Sequence, residues 1–469
     1  MPFLRGNLAL SERRSQLTSR AKPVTTHRVS MTLSLFNDDP AAGEAAATAH
    51  TATFDQPFDP RPEAARARLQ AFLPQSGKRY ASQRNFDFGP GKHQKVSALS
   101  PWLRHRVILE TEVLEAVLGA QSAASAEKFI QEVFWRGYFK GWLEHRPEVW
   151  QRYRRRVTDL LGQLETDAAL QARYEEAVGG RTGIACFDAW ARELVDTNYL
   201  HNHARMWFAS IWIFTLRLPW ELGADFFFRH LLDGDAASNT CSWRWVGGLH
   251  TAGKTYLARA ANIREYTAGR FDPEGQLAAT APALEEPALG PRTPPRFADV
   301  DLAGQRVGLL ITGEDCAAEG LAAEHAGLPA PVALAGWSAP VPRSLLPTAP
   351  VVEQFTAAAV EGAVQAAEAR HGLDAMRLGG HENSTPPEAE GMAAVLADWA
   401  QAHQLDCIVT ARLPIGPQRQ ALHRAMRGVT TPLVELDRHY DRLVWPHARA
   451  GFFGLKKQIP GILRDLGLS

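Results

Sequence analysis

Three stretches of the chain carry residue types that could grip a charged ligand with aromatic rings. The first runs from Tyr80, in Y-A-S-Q-R-N-F, to V-S-A-L-S-P (Val96–Pro101). Hydroxyls and backbone amides gathered ahead of a helix can hold phosphates. An ordinary helix cap also explains S-x-L-S-P. The second is F-I-Q-E-V-F-W-R-G-Y (Phe129–Tyr138). Glu132, Trp135 and Arg136 stand there at i, i+3 and i+4, so they share one helix face. An acid, an indole and a guanidinium together could clasp a heterocycle; the plainer reading is a half-exposed face with a Glu–Arg ion pair. The third runs from Tyr199 to Trp245 and holds L-H-N-H-A-R-M (Leu200–Met206) and L-L-D-G-D-A-A-S-N-T-C-S-W-R-W (Leu231–Trp245). Asn202, Arg205 and Met206 again share a face. Asp233 and Asp235 sit beside a helix start, where they could organise a polar ligand or merely form a turn and a cap.

Tryptophan is concentrated in the same region. Of 13 tryptophans, ten lie between Trp102 and Trp245. Each could be core filler, but the enrichment also suits stacking on bases or cofactor rings, or electron hopping. Residues 56–275 read as a mainly helical domain that positions all three stretches. Ser125–His145 has apolar residues at helical spacing, Ser125 as N-cap and Pro147 beyond its end. Phe187–Leu216 reads as one long helix before Pro219. Residues 276–300 form a proline- and alanine-rich linker. From 301 to 469 the texture is α/β. Apolar runs at Arg306–Thr312, Pro331–Gly336, Leu405–Thr410 and Thr431–Leu436 alternate with helical patterns at Val351–His371, Pro387–His403 and Gln418–Met426. Such alternation predicts a parallel, Rossmann-like sheet. No glycine-rich phosphate loop follows its first strand.

Lys+Arg and Asp+Glu both number 51, which excludes a histone-like binder that works by net charge alone. No apolar run approaches the roughly 18 residues of a membrane span. Cys186, Cys241, Cys316 and Cys407 are too scattered for a zinc or iron–sulfur site and read as reduced thiols in a cytoplasmic protein. Residues 1–55 read as a disordered tail. Its first thirty residues carry Arg5, Arg13, Arg14, Arg20, Lys22 and Arg28 against Glu12 alone, a composition shared with transit peptides, and Met31 offers a second start.

From Tyr80 to Asp272 the chain resembles the DNA photolyase/cryptochrome family. The matching pieces, in that family's order, are Y-x-x-x-R-N, V-S-x-L-S-P, E-x-x-W-R, T-G (Thr182–Gly183), F-D-A, H-N-x-x-R-M and L-D-G-D-x-x-x-N-x-x-x-W-x-W. The resemblance implies an FAD folded into a helical bundle. Tyr80, Ser97, Leu99, Ser100, Phe129, Arg136 and Asn202 would line it. Arg205 would pair with Asp233 beside the flavin ring, Asp235 would meet the adenine and ribityl region, and Asn239 would face flavin N5. Val96 replaces the family's usual Thr and Phe129 a frequent Trp. Glu132, Trp135, Asn202, Met206 and Trp245 match positions that line the damaged-DNA pocket. Trp243 and Trp220 match the first two members of a tryptophan electron chain. The third has no counterpart near Leu161–Leu164, leaving Tyr174, Trp190 and Trp212 as substitutes.

The resemblance therefore implies a monomeric, light-driven enzyme that repairs cyclobutane pyrimidine dimers in DNA. Glu132, Asn239, Trp220 and Trp243 would carry the reaction. The alternatives are a cryptochrome-like photoreceptor and a flavin-free binding module on the same scaffold. In the family an α/β antenna domain precedes the helical one; here the α/β texture follows, and G-F-F-G-L-K-K-Q-I-P (Gly451–Pro460) resembles the exit of an antenna domain. That order implies a circular permutation. T-G-E-D (Thr312–Asp315) replaces the family's usual residues after the first strand, so any second chromophore is left unassigned.

Overall fold

The computed structural model describes residues 58–379 and 389–468. The expectations for residues 1–55 concern positions outside that range. The helical half begins with α1 (Pro62–Phe72), α2 (Lys78–Gln83), α3 (Ser100–Arg104), α4 (Glu110–Ala120), α5 (Ala123–Glu144) and α6 (Pro147–Thr166). It continues with α7 (Ala168–Val178), α8 (Ala185–Thr197), α9 (Asn202–Ser210), α10 (Trp220–His230), α11 (Ala236–Val246) and α12 (Ala260–Tyr266).

Two expectations for these helices are corrected. Ser122, not Ser125, caps α5: its hydroxyl accepts from Ser125 N at 3.2 Å, the usual reach from a cap to the third helical residue. The long helix expected over Phe187–Leu216 is broken into α8 and α9. Asn198 adopts a left-handed φ of 54° at the end of α8, and its side chain donates to the His230 carbonyl at 3.0 Å. The chain then runs extended to His201, whose ring accepts from His203 N and opens α9. The break turns Arg205 toward the segment after α10.

The α/β half is a five-stranded parallel sheet in the order β3-β2-β1-β4-β5. Its strands are β1 (Val307–Thr312), β2 (Ala333–Trp337), β3 (Ala375–Leu378), β4 (Cys407–Ala411) and β5 (Leu433–Leu436). The helices between and after them are α13 (Leu321–Glu324), α14 (Pro350–His371), α15 (Ala389–Ala402), α16 (Pro417–Ala425), α17 (His439–Val444), α18 (Phe452–Lys456) and α19 (Ile459–Asp465). β1, β2 and β4 are buried along their whole length, which is why they read as continuous apolar runs. β3 escaped the sequence reading because it is a half-exposed edge strand, A-M-R-L, with Arg377 paired to Glu361 and Glu368.

The halves are joined by buried charge. Arg104 makes a double hydrogen bond to Glu314 at 2.6 and 2.7 Å, and His105 Nδ1 lies 2.6 Å from the Gly313 carbonyl. Arg106 bonds both oxygens of Asp441 at 2.7 and 2.8 Å and reaches Asp315 at 3.4 Å. Asp315 is shared with Arg438, at 2.8 and 2.9 Å. The β1–β4 boundary is where the strand order reverses, the usual place for a ligand in such sheets. Here Arg104 and His105 of the helical half occupy it, and the remaining crevice is about 50 Å³. Between Tyr266 and Val307 the chain has no helix or strand, yet it is fastened down. Leu284 N donates to Gly247 O at 2.9 Å and Thr293 N to His145 O at 3.0 Å.

Asp315 therefore neutralises two buried guanidiniums at once. Asp315→Ala should destabilise the protein by about 3–5 kcal/mol, the usual cost of stranding a buried charge, and Asp315→Asn by less. Urea unfolding midpoints of the two variants check this; equal, near-parental midpoints would show that the seam carries no stability.

Candidate functional site

The short turn Leu231–Asp235, between α10 and α11, gathers most of the candidate residues. Arg205, on α9, donates to Asp233 at 3.0 Å and through Nε to the Leu200 carbonyl at 2.8 Å. Asp233 is buried. Burial works against its charge, but Arg205, Arg136 and the Ser100 hydroxyl hold its pKa below the usual carboxylate range. Ser100 opens α3, so this carboxylate ties the V-S-A-L-S-P segment to the D-G-D turn. In that segment Ala98 takes a left-handed φ of 48°, a strained choice for a residue with a Cβ. Ser97 accepts on its carbonyl from Arg68 Nε at 2.6 Å, and Leu99 is fully buried.

Asp235 does two jobs. One oxygen caps α11, accepting from Ala237 N at 3.0 Å and Ser238 N at 2.8 Å. The other accepts from Arg136 at 2.6 Å. Burial again opposes its charge, and Arg136, Lys140 and Arg104 outweigh it, so its pKa is lowered. One turn into α11, Asn239 donates through Nδ2 to the Ala224 carbonyl at 2.7 Å. That bond fixes the amide and leaves Oδ1 as its remaining acceptor. Tyr80 and Phe129 meet edge to face, 5.2 Å between ring centres, and both pack on Phe72.

Among the remaining candidates, Glu132, Trp135 and Trp220 are placed differently from the sequence expectation. Glu132 and Arg136 do not form the i,i+4 pair. Glu132 is paired with Arg84, and burial raises its pKa even against that guanidinium. Trp135 does not stand open as a wall: its ring is stacked on Phe452 of α18, 3.9 Å between centres and 12° from parallel. Asn202 is exposed at the first position of α9, Met206 is buried, and Trp245 lies against Tyr256 at 5.7 Å. Trp243 meets Phe227 at 5.2 Å and Trp212 at 6.1 Å. Trp212 in turn meets Tyr174 at 6.2 Å. Trp220 packs on Tyr153 at 5.7 Å, and no ring contact joins it to Trp243 among the described residues. Trp190, the third substitute, stacks on Trp207 at 5.3 Å, away from this line.

Sequence reasoning missed three contributors. Arg84 lay inside the quoted Y-A-S-Q-R-N-F but only its distant acid explains it. Lys140 stands one turn beyond Arg136; it is buried among Arg106, Asp235, Glu110 and Arg104, and burial pulls its pKa down. Arg104 donates to the Gly234 carbonyl at 2.9 Å. Basic residues at helical spacing from known candidates were the available signal for Lys140; nothing local marked Arg104.

Residues 129–282 match the family model of the FAD binding domain of DNA photolyase. A deoxyribodipyrimidine photo-lyase of Thermus thermophilus is 35% identical over 237 residues, covering 50% of this chain and 53% of that protein. The Escherichia coli protein of the same name is 30% identical over 227 residues, covering 47% and 46%. The chain thus spans about half the length of the curated relatives it matches. Among solved structures, a Synechocystis cryptochrome aligns at 26% identity over 44% of this chain and 43% of its own, with a TM-score of 0.36. No helix of the described residues is long and apolar enough to cross a membrane. With the motifs in family order and Arg205 paired to Asp233, residues 129–282 match the FAD binding domain of DNA photolyase, and this half of the chain is similar to the photolyase/cryptochrome family.

Proposed function

We propose that the protein is a light-driven DNA photolyase that uses FAD to split cyclobutane pyrimidine dimers. The observation that carries this reading is the turn Leu231–Asp235, whose two carboxylates are each paired with a guanidinium from another helix, Arg205 and Arg136. The residues fit the cofactor. The buried Ser238 Oγ has no protein partner, Asn239 Oδ1 is an acceptor held in place by Ala224, and the strained Ala98 loop offers backbone groups beside Ser97 and Ser100. Tyr80, Ser97, Leu99, Ser100, Phe129, Arg136, Asn202, Arg205, Asp233, Asp235 and Asn239 would hold it.

Held by these residues, FAD would supply light-driven one-electron chemistry toward the dimer, with no net redox change. This chain's own part is positioning. The Arg205–Asp233 pair presents a fixed polar edge, Asn239 offers an acceptor that brings no acidic proton, and burial of the whole turn excludes water. Glu132, with its raised pKa, could hold a base edge, and Met206, Asn202 and Trp245 would frame a flipped dinucleotide. The α/β half would be an antenna-type domain moved behind the helical one by circular permutation, with DNA as the partner of the helical half.

A cryptochrome-like photoreceptor is the second reading, and one observation favours it. Trp135 is already stacked on Phe452, and Glu132 is tied to Arg84, so two groups meant for the lesion are engaged within the chain.

Three measurements test these readings. Asp233→Ala strands the half-buried Arg205 charge and should purify largely without FAD; full flavin content by visible absorption would sink the site. Trp243→Phe should slow light-driven flavin reduction strongly while dithionite still reduces it. Trp212→Phe should slow it more than Trp220→Phe, because only Trp212 is in ring contact with Trp243. Parental rates in all three would place the electron route elsewhere. Finally, each lesion is supplied separately to reduced enzyme under blue light. Repair of cyclobutane dimers is expected. Repair of (6-4) products alone would overturn the lesion assignment, and repair of neither would move the protein to the photoreceptor reading.

A further inference from the structure

The carbonyls of a helix's last turn have no partner within the helix and must find one elsewhere. At the end of α10 the α/β half supplies them. Arg343, in the segment leaving β2, donates through Nη1 to Phe228 O at 2.9 Å and to Leu231 O at 2.8 Å. Ala349 N donates to Arg229 O at 3.0 Å, and Arg229 returns a bond to Pro347 O at 3.1 Å. Arg343 is buried, its guanidinium lies 5.4 Å from the Phe228 ring centre, and its own carbonyl accepts from Arg154 at 2.7 Å. No carboxylate forms an ion pair with it among the described residues. Burial and the like charge of Arg104 oppose its charge and lower its pKa; the negative end of the α10 dipole and, at longer range, Glu314, Asp233 and Asp235 favour it.

Those carbonyls belong to the entrance of the turn that carries both flavin carboxylates. Gly234, at the middle of D-G-D, is shaped to the same guanidinium. A Cβ there would lie 2.8 Å from Arg343 Nη1 and 3.1 Å from the Leu231 and Phe228 carbonyls. Arg104 fastens the Gly234 carbonyl while holding Glu314 with both terminal nitrogens. The turn is thus held by two guanidiniums, one belonging to the α/β half and one anchored upon it.

We infer that Arg343 is a positioning residue for the flavin site: through it the α/β half sets the geometry of the Leu231–Asp235 turn, and with it the retention of FAD. The inference rests on the flavin reading of the site. It gives the α/β half a role that requires no chromophore of its own.

The test is a double-mutant cycle on FAD affinity, measured by titrating FAD into the full-length apoprotein and following flavin fluorescence, with the visible circular dichroism of bound flavin as a second readout. Far-ultraviolet circular dichroism checks folding. Arg343→Met, which loses two charged hydrogen bonds, should weaken FAD binding roughly ten- to a hundredfold and alter the flavin dichroism. Arg343→Lys should restore part of both. Gly234→Ala, by pushing the guanidinium off its carbonyls, should weaken binding comparably and add little in the Arg343→Met background. Should Arg343→Met fail to fold, Arg343→Lys and Gly234→Ala carry the comparison. Parental affinity in Arg343→Met, or fully multiplicative effects in the double variant, overturns the inference alone. A parent protein that takes up no FAD overturns the flavin reading as well.

Discussion

Arg106 is a buried guanidinium held by three carboxylates, Glu110, Asp315 and Asp441, and the two halves of the molecule meet around it. An unpaired charge at that depth would be costly, so losing any one of these partners would penalise the docked arrangement. The backbone bears strain to reach it: Arg106 itself has a left-handed φ of 48°, which points Arg104, His105 and Arg106 together into the α/β half. Asp441 sits in α17, so the same pairing ties α17 to the segment between α3 and α4. Beside it Gly141 allows close approach, since a Cβ there would come within 2.8 Å of the Trp445 backbone.

The seam continues directly into the site. Arg104 links Glu314 to the Gly234 carbonyl, buried Lys140 feels the charges of Arg106 and Asp235, and Arg136 closes the series on Asp235. Acids and bases alternate from the sheet edge to the Leu231–Asp235 turn, and each lowered carboxylate pKa has a named cation behind it. A fold that docks its second half through such a series couples the geometry of the Leu231–Asp235 turn to the packing between the halves. The switch-point crevice that elsewhere receives a ligand is given over here to that coupling.

The aromatic residues divide along the same lines. Trp243, Trp212 and Tyr174 form a line of ring contacts through the bundle. Its two indoles can meet because Gly223 has no side chain: a Cβ there would lie 2.3 Å from the Trp243 ring and 2.8 Å from that of Trp212. Trp135 was drawn instead to Phe452, a residue of the opposite half far away in sequence. Whether the Trp135 face of α5 is open therefore depends on a helix of that half.

Features written locally in the chain were legible before any fold was known. Helical spacing marked α5, α14 and α16, apolar runs marked β1, β2, β4 and β5, and motifs in fixed order marked Arg205, Asp233, Asp235 and Asn239 as one candidate site. Local chemistry failed where a distant partner settled the outcome. β3 has no apolar run because one edge of it faces solvent. The break at Asn198 depends on the carbonyl of His230. Glu132 pairs with Arg84 rather than Arg136 because Arg136 is already claimed by Asp235, 99 residues away. Arg104 and Arg343 carry no signal in their own neighbourhoods. Their roles exist because burial forbids an unpaired charge or carbonyl, and which groups are buried together is fixed only when the two halves of the chain pack.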